Sequence, residues 1–126
     1  MKFTLKTIFL LLLITTFNTS CSTNKSEFYH IMMLEYTESA NMDEVTSEIL
    51  AFGDIPSVLA ISFGKIKKNQ KNKINNFTYC LSLKFKDRKG MDAYFIDPYH
   101  QKIYKKHKPL IASIYTVDFN SISLKK

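Results

Sequence analysis

The hydrophobic positions change period several times between residues 28 and 119, and each change marks an element. Positions 28–36 read Phe-Tyr-His-Ile-Met-Met-Leu-Glu-Tyr and predict a strand. Phe28, His30, Met32, Leu34 and Tyr36 share one face; Tyr29, Ile31, Met33 and Glu35 share the other. Both faces are largely apolar, so both are expected to be covered. After a polar turn over 37–40, Asn41 reads as an N-cap with Glu44 three residues on, and Met42, Val45, Thr46, Ile49 and Phe52 recur at helical spacing. Gly53 reads as the helix stop and Pro56 as a break. Positions 58–66 predict a second strand, with a bulge or a close backbone approach at Gly64. Positions 67–76, rich in Lys and Asn, read as a solvated loop. Positions 77–86 predict the third strand, where Phe77, Tyr79, Leu81, Leu83 and Phe85 alternate with Thr78, Cys80, Ser82, Lys84 and Lys86. Asp87 caps a helix whose apolar stripe is Met91, Tyr94 and Phe95. Asp97-Pro98 then restarts a helix, with Asp at the cap and Pro at the first helical position. It carries His100, Ile103, Tyr104 and His107 on one face, and Pro109 closes it. Positions 110–119 predict the last strand, and 120–126 a polar basic tail.

The resulting order, β-α-β-β-α-β, is the split βαβ arrangement of ferredoxin-like α+β domains. It makes a four-stranded antiparallel sheet with its helices on one face. The other face then needs a cover, and a second copy packed sheet against sheet in a closed symmetric dimer supplies one.

The residues before 28 follow different rules. Lys2 and Lys6 flank the start of an apolar run, 7–17, that is too short to span a bilayer, which takes ~20 residues. Asn18-Thr19-Ser20-Cys21 follows. Small residues before a Cys at this point resemble a bacterial lipobox, although Asn18 stands where an aliphatic residue is usual. Residues 1–20 are therefore read as a lipoprotein-type signal peptide, Cys21 as the lipidated N-terminus and 21–27 as a tether. An ordinary secretory signal cleaved nearby is the alternative. Several acyl chains on Cys21 would hold the domain stably on a lipid bilayer, in the bacterial cell envelope, facing the periplasm or the surface. Cys80 would then be the lone thiol of the mature chain, expected to be buried.

A chain of 126 residues, 45 % hydrophobic and 23 % charged, is sized for one domain with a core. Its formal net charge is +7, but the Lys/Asn loop has no Arg or aromatic residue interleaved, so no nucleic-acid partner is expected. Lys102, Lys105, Lys106 and Lys108 read as a solvated helix face rather than as a membrane-docking one. His30, His100 and His107, with Asp97, are the candidate metal ligands, but no His-x-x-x-His or Cys-x-x-Cys spacing joins them, and no metal is expected. Gly-rich phosphate loops, Ser nucleophile elbows and paired-carboxylate motifs are also lacking.

What remains is Tyr94 and His100. His100 sits at the third position of the restarted helix, whose positive end disfavours an imidazolium, while Asp97 pulls the other way. A neutral imidazole there is a general base. The hydroxyl of Tyr94, six residues earlier across the helix break, is a donor to a carbonyl oxygen on which charge develops.

Several segments together resemble the stress-responsive A/B barrel (Dabb) family. They are His30 with the aliphatic residues after it, Ile61-Ser62-Phe63-Gly64, the stretch 77–88, Ala93-Tyr94-Phe95-Ile96-Asp97-Pro98-Tyr99-His100, and Val117-Asp118-Phe119. The resemblance spans 28–119 and implies a ferredoxin-like domain that dimerises through its sheet into an α+β barrel. It also implies a pocket between sheet and helices and no cofactor. One branch, similar to plant polyketide cyclases, closes rings with a Tyr and a His; the matching positions are Tyr94 and His100. His30 matches a pocket histidine and Tyr79 a further ligand-binding position, although the cyclases carry His at the latter and the family often has His at Asp97. Two functions stay open: a tethered dimer that binds a small apolar ligand or serves as a stress-related module, or a cofactor-independent enzyme, cyclase-like or lyase/monooxygenase-like. The enzyme would act on a small carbonyl or aromatic compound.

Overall fold

The structure, a computed structural model, describes residues 26–67 and 76–122. The expected signal peptide, Cys21, most of the expected tether, most of the Lys/Asn loop and the end of the tail lie outside the described residues. Strands β1 (Phe28–Tyr36), β2 (Val58–Lys65), β3 (Tyr79–Phe85) and β4 (Ile111–Asn120) form one sheet in the order β2-β3-β1-β4. Each neighbouring pair is antiparallel. Helices α1 (Met42–Leu50), α2 (Arg88–Ile96) and α3 (Pro98–His107) complete the ferredoxin-like order.

The strand alternation decides what is inside. Leu81, Leu83 and Phe85 on β3 and Phe28, His30 and Leu34 on β1 are buried under the helices. Leu83 and Phe85 are 0 % exposed, and truncating either to Ala removes buried apolar area and leaves a cavity, about 2–5 kcal/mol each. Val45 and Ile49 of α1, Met91 and Tyr94 of α2 and Ile103 of α3 fill the space above the sheet. On the opposite face, Tyr115, Val117 and Phe119 of β4 are exposed beside Tyr29, Ile31 and Met33 of β1. Tyr29 and Phe119 stack at 5.2 Å between ring centroids. This apolar strip is the second face that the patterning of β1 anticipates. Cys80 lies on the same face among Ser82 and Lys84 and is half-buried rather than buried in the single subunit.

Three local readings change. The first helix stops at Leu50, and a 3-10 turn over Ala51–Asp54 then buries Phe52. Gly53 is fixed by packing rather than by a left-handed stop: a Cβ there would stand 3.0 Å from Cγ2 of Ile61. The irregularity of β2 falls between Val58 and Ala60, where Leu59 is turned out to solvent; Gly64 pairs regularly with Cys80 and has open space beside it. The third strand begins at Tyr79 rather than Phe77, because the amide of Thr78 already turns to the carbonyl of Leu34 at 3.0 Å.

Candidate functional site

A short stretch of sequence builds the site. Asp87 caps α2 by accepting from the amide of Gly90 at 2.9 Å. Asp97 ends that helix and starts the next, its carboxylate accepting from the amides of Tyr99 at 2.8 Å and His100 at 3.3 Å. Pro98 takes the first position of α3, where no amide donor is needed. Because the chain breaks here, the carbonyl of Phe95 loses its helical partner and accepts instead from Nδ1–H of His100 at 3.2 Å, and also from the side-chain Nε2–H of Gln101. That bond selects one tautomer and leaves Nε2 of His100 as the basic nitrogen. The break also brings the rings of Tyr94 and His100 to 4.2 Å between centroids.

These rings wall a cleft of about 500 Å³ between α1, α3 and the helix-side face of β1 and β4. Met32, Leu34, Ile49, Ile103 and Ile114 give it much of its apolar lining, and among the described residues no Lys or Arg lines it. His30, from the middle of β1, enters the same wall and is 4 % exposed. Its Nδ1 lies 2.6 Å from Oδ1 of Asp118, directly across the β1–β4 pairing. That pairing leaves Nε2 as the free nitrogen of the ring, an acceptor whenever the ring is neutral. Nε2 of His30 and the hydroxyl of Tyr94 are both buried with no hydrogen-bond partner among the described residues.

Burial is the leading influence on the titration of this group. It lowers the His100 pKa below the usual value, with the nearby His30 pushing the same way and the Phe95 carbonyl and Asp97 opposing. The contest between helix end and carboxylate is thus decided by desolvation, since the Asp97 side chain is turned to the helix amides. Burial likewise raises the Tyr94 phenol well above its ordinary value, so that hydroxyl is a donor rather than an anion.

The structure therefore brings Tyr94, His100 and His30 to one cleft. It leaves Tyr79 out: that ring stacks on Phe63 at 5.4 Å and meets Tyr36 edge-on at 5.8 Å, behind the cleft wall rather than in it. Two partners escape sequence reading. Asp118 is the lone acid in the last strand, and only the β1–β4 register shows that it faces His30. Glu48 of α1 binds Nε2 of His107 at 2.7 Å and Nζ of Lys106 at 2.6 Å, contacts that join helices far apart in sequence. Among the described residues, no group of three His, Cys, Asp or Glu side chains gathers as a metal site would.

The family model of the stress-responsive A/B barrel domain (Dabb) matches residues 28–121. The chain belongs to the Dabb family. Its fold recurs in solved structures of low identity. A hydroxynitrile lyase from Passiflora edulis is 14 % identical with a TM-score of 0.68, the match covering 81 % of this chain and 99 % of that one. A protein from Arabidopsis thaliana is 12 % identical with a TM-score of 0.66, over 79 % and 99 %. A dimeric ferredoxin-like protein of unknown function from Jannaschia is 23 % identical with a TM-score of 0.63, over 74 % and 97 %. No curated protein matches the chain. At these identities the structures establish the Dabb fold alone.

Proposed function

We propose that this Dabb chain is a lipid-anchored, dimeric protein of the bacterial cell envelope that binds a small, uncharged, largely apolar molecule carrying a hydroxyl group. One observation carries the ligand reading: two buried polar atoms, Nε2 of His30 and the Tyr94 hydroxyl, lack partners among the described residues, in the wall of a cleft whose lining is mostly apolar. Each unpaired group costs about 1–3 kcal/mol, and a ligand that pairs both recovers that loss. His30 Nε2 needs a donor and Tyr94 offers one, so a group that both donates and accepts fits, and a hydroxyl does so. Among the described residues no Lys or Arg lines the cleft, which disfavours a carboxylate or phosphate ligand. Dimerisation rests on the uncovered strip of Tyr115, Val117 and Phe119 and on the dimeric Jannaschia neighbour. The anchor rests on the sequence before Cys21. Its check is incorporation of a labelled fatty acid in the bacterial host, lost in Cys21→Ser. The ligand is sought by solving the domain purified from that host: density within hydrogen-bond distance of His30 Nε2 and the Tyr94 hydroxyl is expected. An empty, water-filled cleft at high occupancy of the native fold contradicts the reading.

A second reading has its own support. His100 is held neutral by burial with Nε2 free, next to the Tyr94 donor, which is the pairing that cofactor-independent proton transfer on a small carbonyl or aromatic compound needs. A hydroxynitrile lyase stands among the structural neighbours. Under this reading His100→Ala abolishes turnover of such a compound, and turnover that survives the substitution removes it.

A further inference from the structure

We infer that the cleft has a second polar end at His107, so that its ligand is elongated and carries oxygen functions at both ends; this rests on the cleft being a ligand site. His100 and His107 are both buried, both line the cleft and lie on one face of α3, seven residues apart. At 1.5 Å rise per residue that spacing is about 10 Å. Ile103 lies between them, with Leu34 and Ile49 opposite, so the span is apolar. One end holds Tyr94, His30 and His100, described above.

At the other end Nε2 of His107 is fixed on Glu48 at 2.7 Å, so Nδ1 is the ring nitrogen left for a ligand, an acceptor whenever the ring is neutral. A helix lock alone does not require this arrangement. Lys106 already ties α3 to α1 through Glu44 at 2.5 Å and Glu48 at 2.6 Å at the surface. A second, buried pair adds desolvation that an apolar side chain at 107 would avoid. Its position in the cleft wall gives it a use: it receives a hydroxyl donor from a ligand whose first oxygen is held about 10 Å away.

The test is a double-difference titration of the whole soluble domain with octan-1-ol and octane-1,8-diol, on the wild type and on His107→Phe. Adding the distal hydroxyl costs affinity by transfer from water. The wild type is expected to offset that loss, so that the ratio of diol to alcohol dissociation constants is about tenfold larger in His107→Phe, as one hydrogen bond dictates. Equal ratios in the two proteins mean that His107 and Glu48 serve only as a helix lock, and overturn the inference while leaving the ligand site intact. Failure of both probes to bind the wild type overturns the ligand-site reading and this one with it. Should His107→Phe not fold, the imidazole nitrogen resonances of the wild type decide the matter. Nδ1 of His107 must shift with the diol and not with the alcohol; the same response to both refutes the second end.

Discussion

Tyr94 is the residue on which stability and function part company. Its ring is fully enclosed against Phe52, Phe85 and His100, while its hydroxyl has no partner among the described residues. Removing that oxygen keeps the packing and relieves an unpaired buried group. Tyr94→Phe is therefore expected to unfold at a higher temperature, by a gain of about 1 kcal/mol. Loss of stability in thermal melts would mean that the hydroxyl has a partner after all. Asp118 works the other way. Asp118→Ala strands the buried His30 Nδ1 and is expected to lower the unfolding free energy, read from the shift in denaturant midpoint, by about 1–3 kcal/mol. His100 gives a pH dependence. Its pKa is lowered in the folded state, so the unfolded chain takes up the proton first as the medium acidifies. The stability that this neutral ring contributes is complete above the ordinary histidine value, about 6.5, and falls as pH drops below it toward the folded value, by at most ~1.4 kcal/mol per unit. Urea midpoints of wild type and His100→Phe across that window should differ in slope; parallel profiles would show that burial does not hold the ring neutral.

At the scale of elements, the break between α2 and α3 does the positioning. Asp97 closes one helix and caps the next through two amides, and the freed Phe95 carbonyl orients His100. Asp97→Ala removes the cap, costing about 1 kcal/mol. It should also loosen the His100 ring, seen as an exchange-broadened imidazole signal; a sharp, unshifted signal would separate cap from site. This element was fully legible in the sequence, because Asp-Pro acts locally and needs no distant partner. The alternation around Leu81, Leu83 and Phe85 was legible for the same reason. What could not be read depends on register and on where elements stop. Asp118 meets His30 only through the β1–β4 pairing, and Glu48 meets His107 only because α1 and α3 cross over the sheet. Tyr79 has the right face of the right strand, yet β3 begins with it, so its ring packs on Phe63 and Tyr36 beyond the cleft. Gly53 and Gly64 carried opposite meanings from those their local sequence suggests, since the deciding contact, or its lack, lies on another strand.

The whole molecule has two apolar surfaces with two destinies: one under the helices, forming core and cleft, and one left open on the far side of the sheet. Burial of Tyr115, Val117 and Phe119 against a second copy follows from the proposed dimer, and Val117→Lys is expected to convert the sedimenting species to a monomer with its fold retained. A wild type that sediments as a monomer at high concentration contradicts that assembly. The proposed function gives the other surface a cost: its cleft holds a hydroxylated apolar molecule at the expense of stability. It is tested most directly by titrating octan-1-ol into wild type and Tyr94→Phe. Saturable binding to the wild type is expected, with roughly tenfold weaker binding to Tyr94→Phe, the variant expected to be more stable. Equal affinity in the two proteins, or no binding to either, would contradict it.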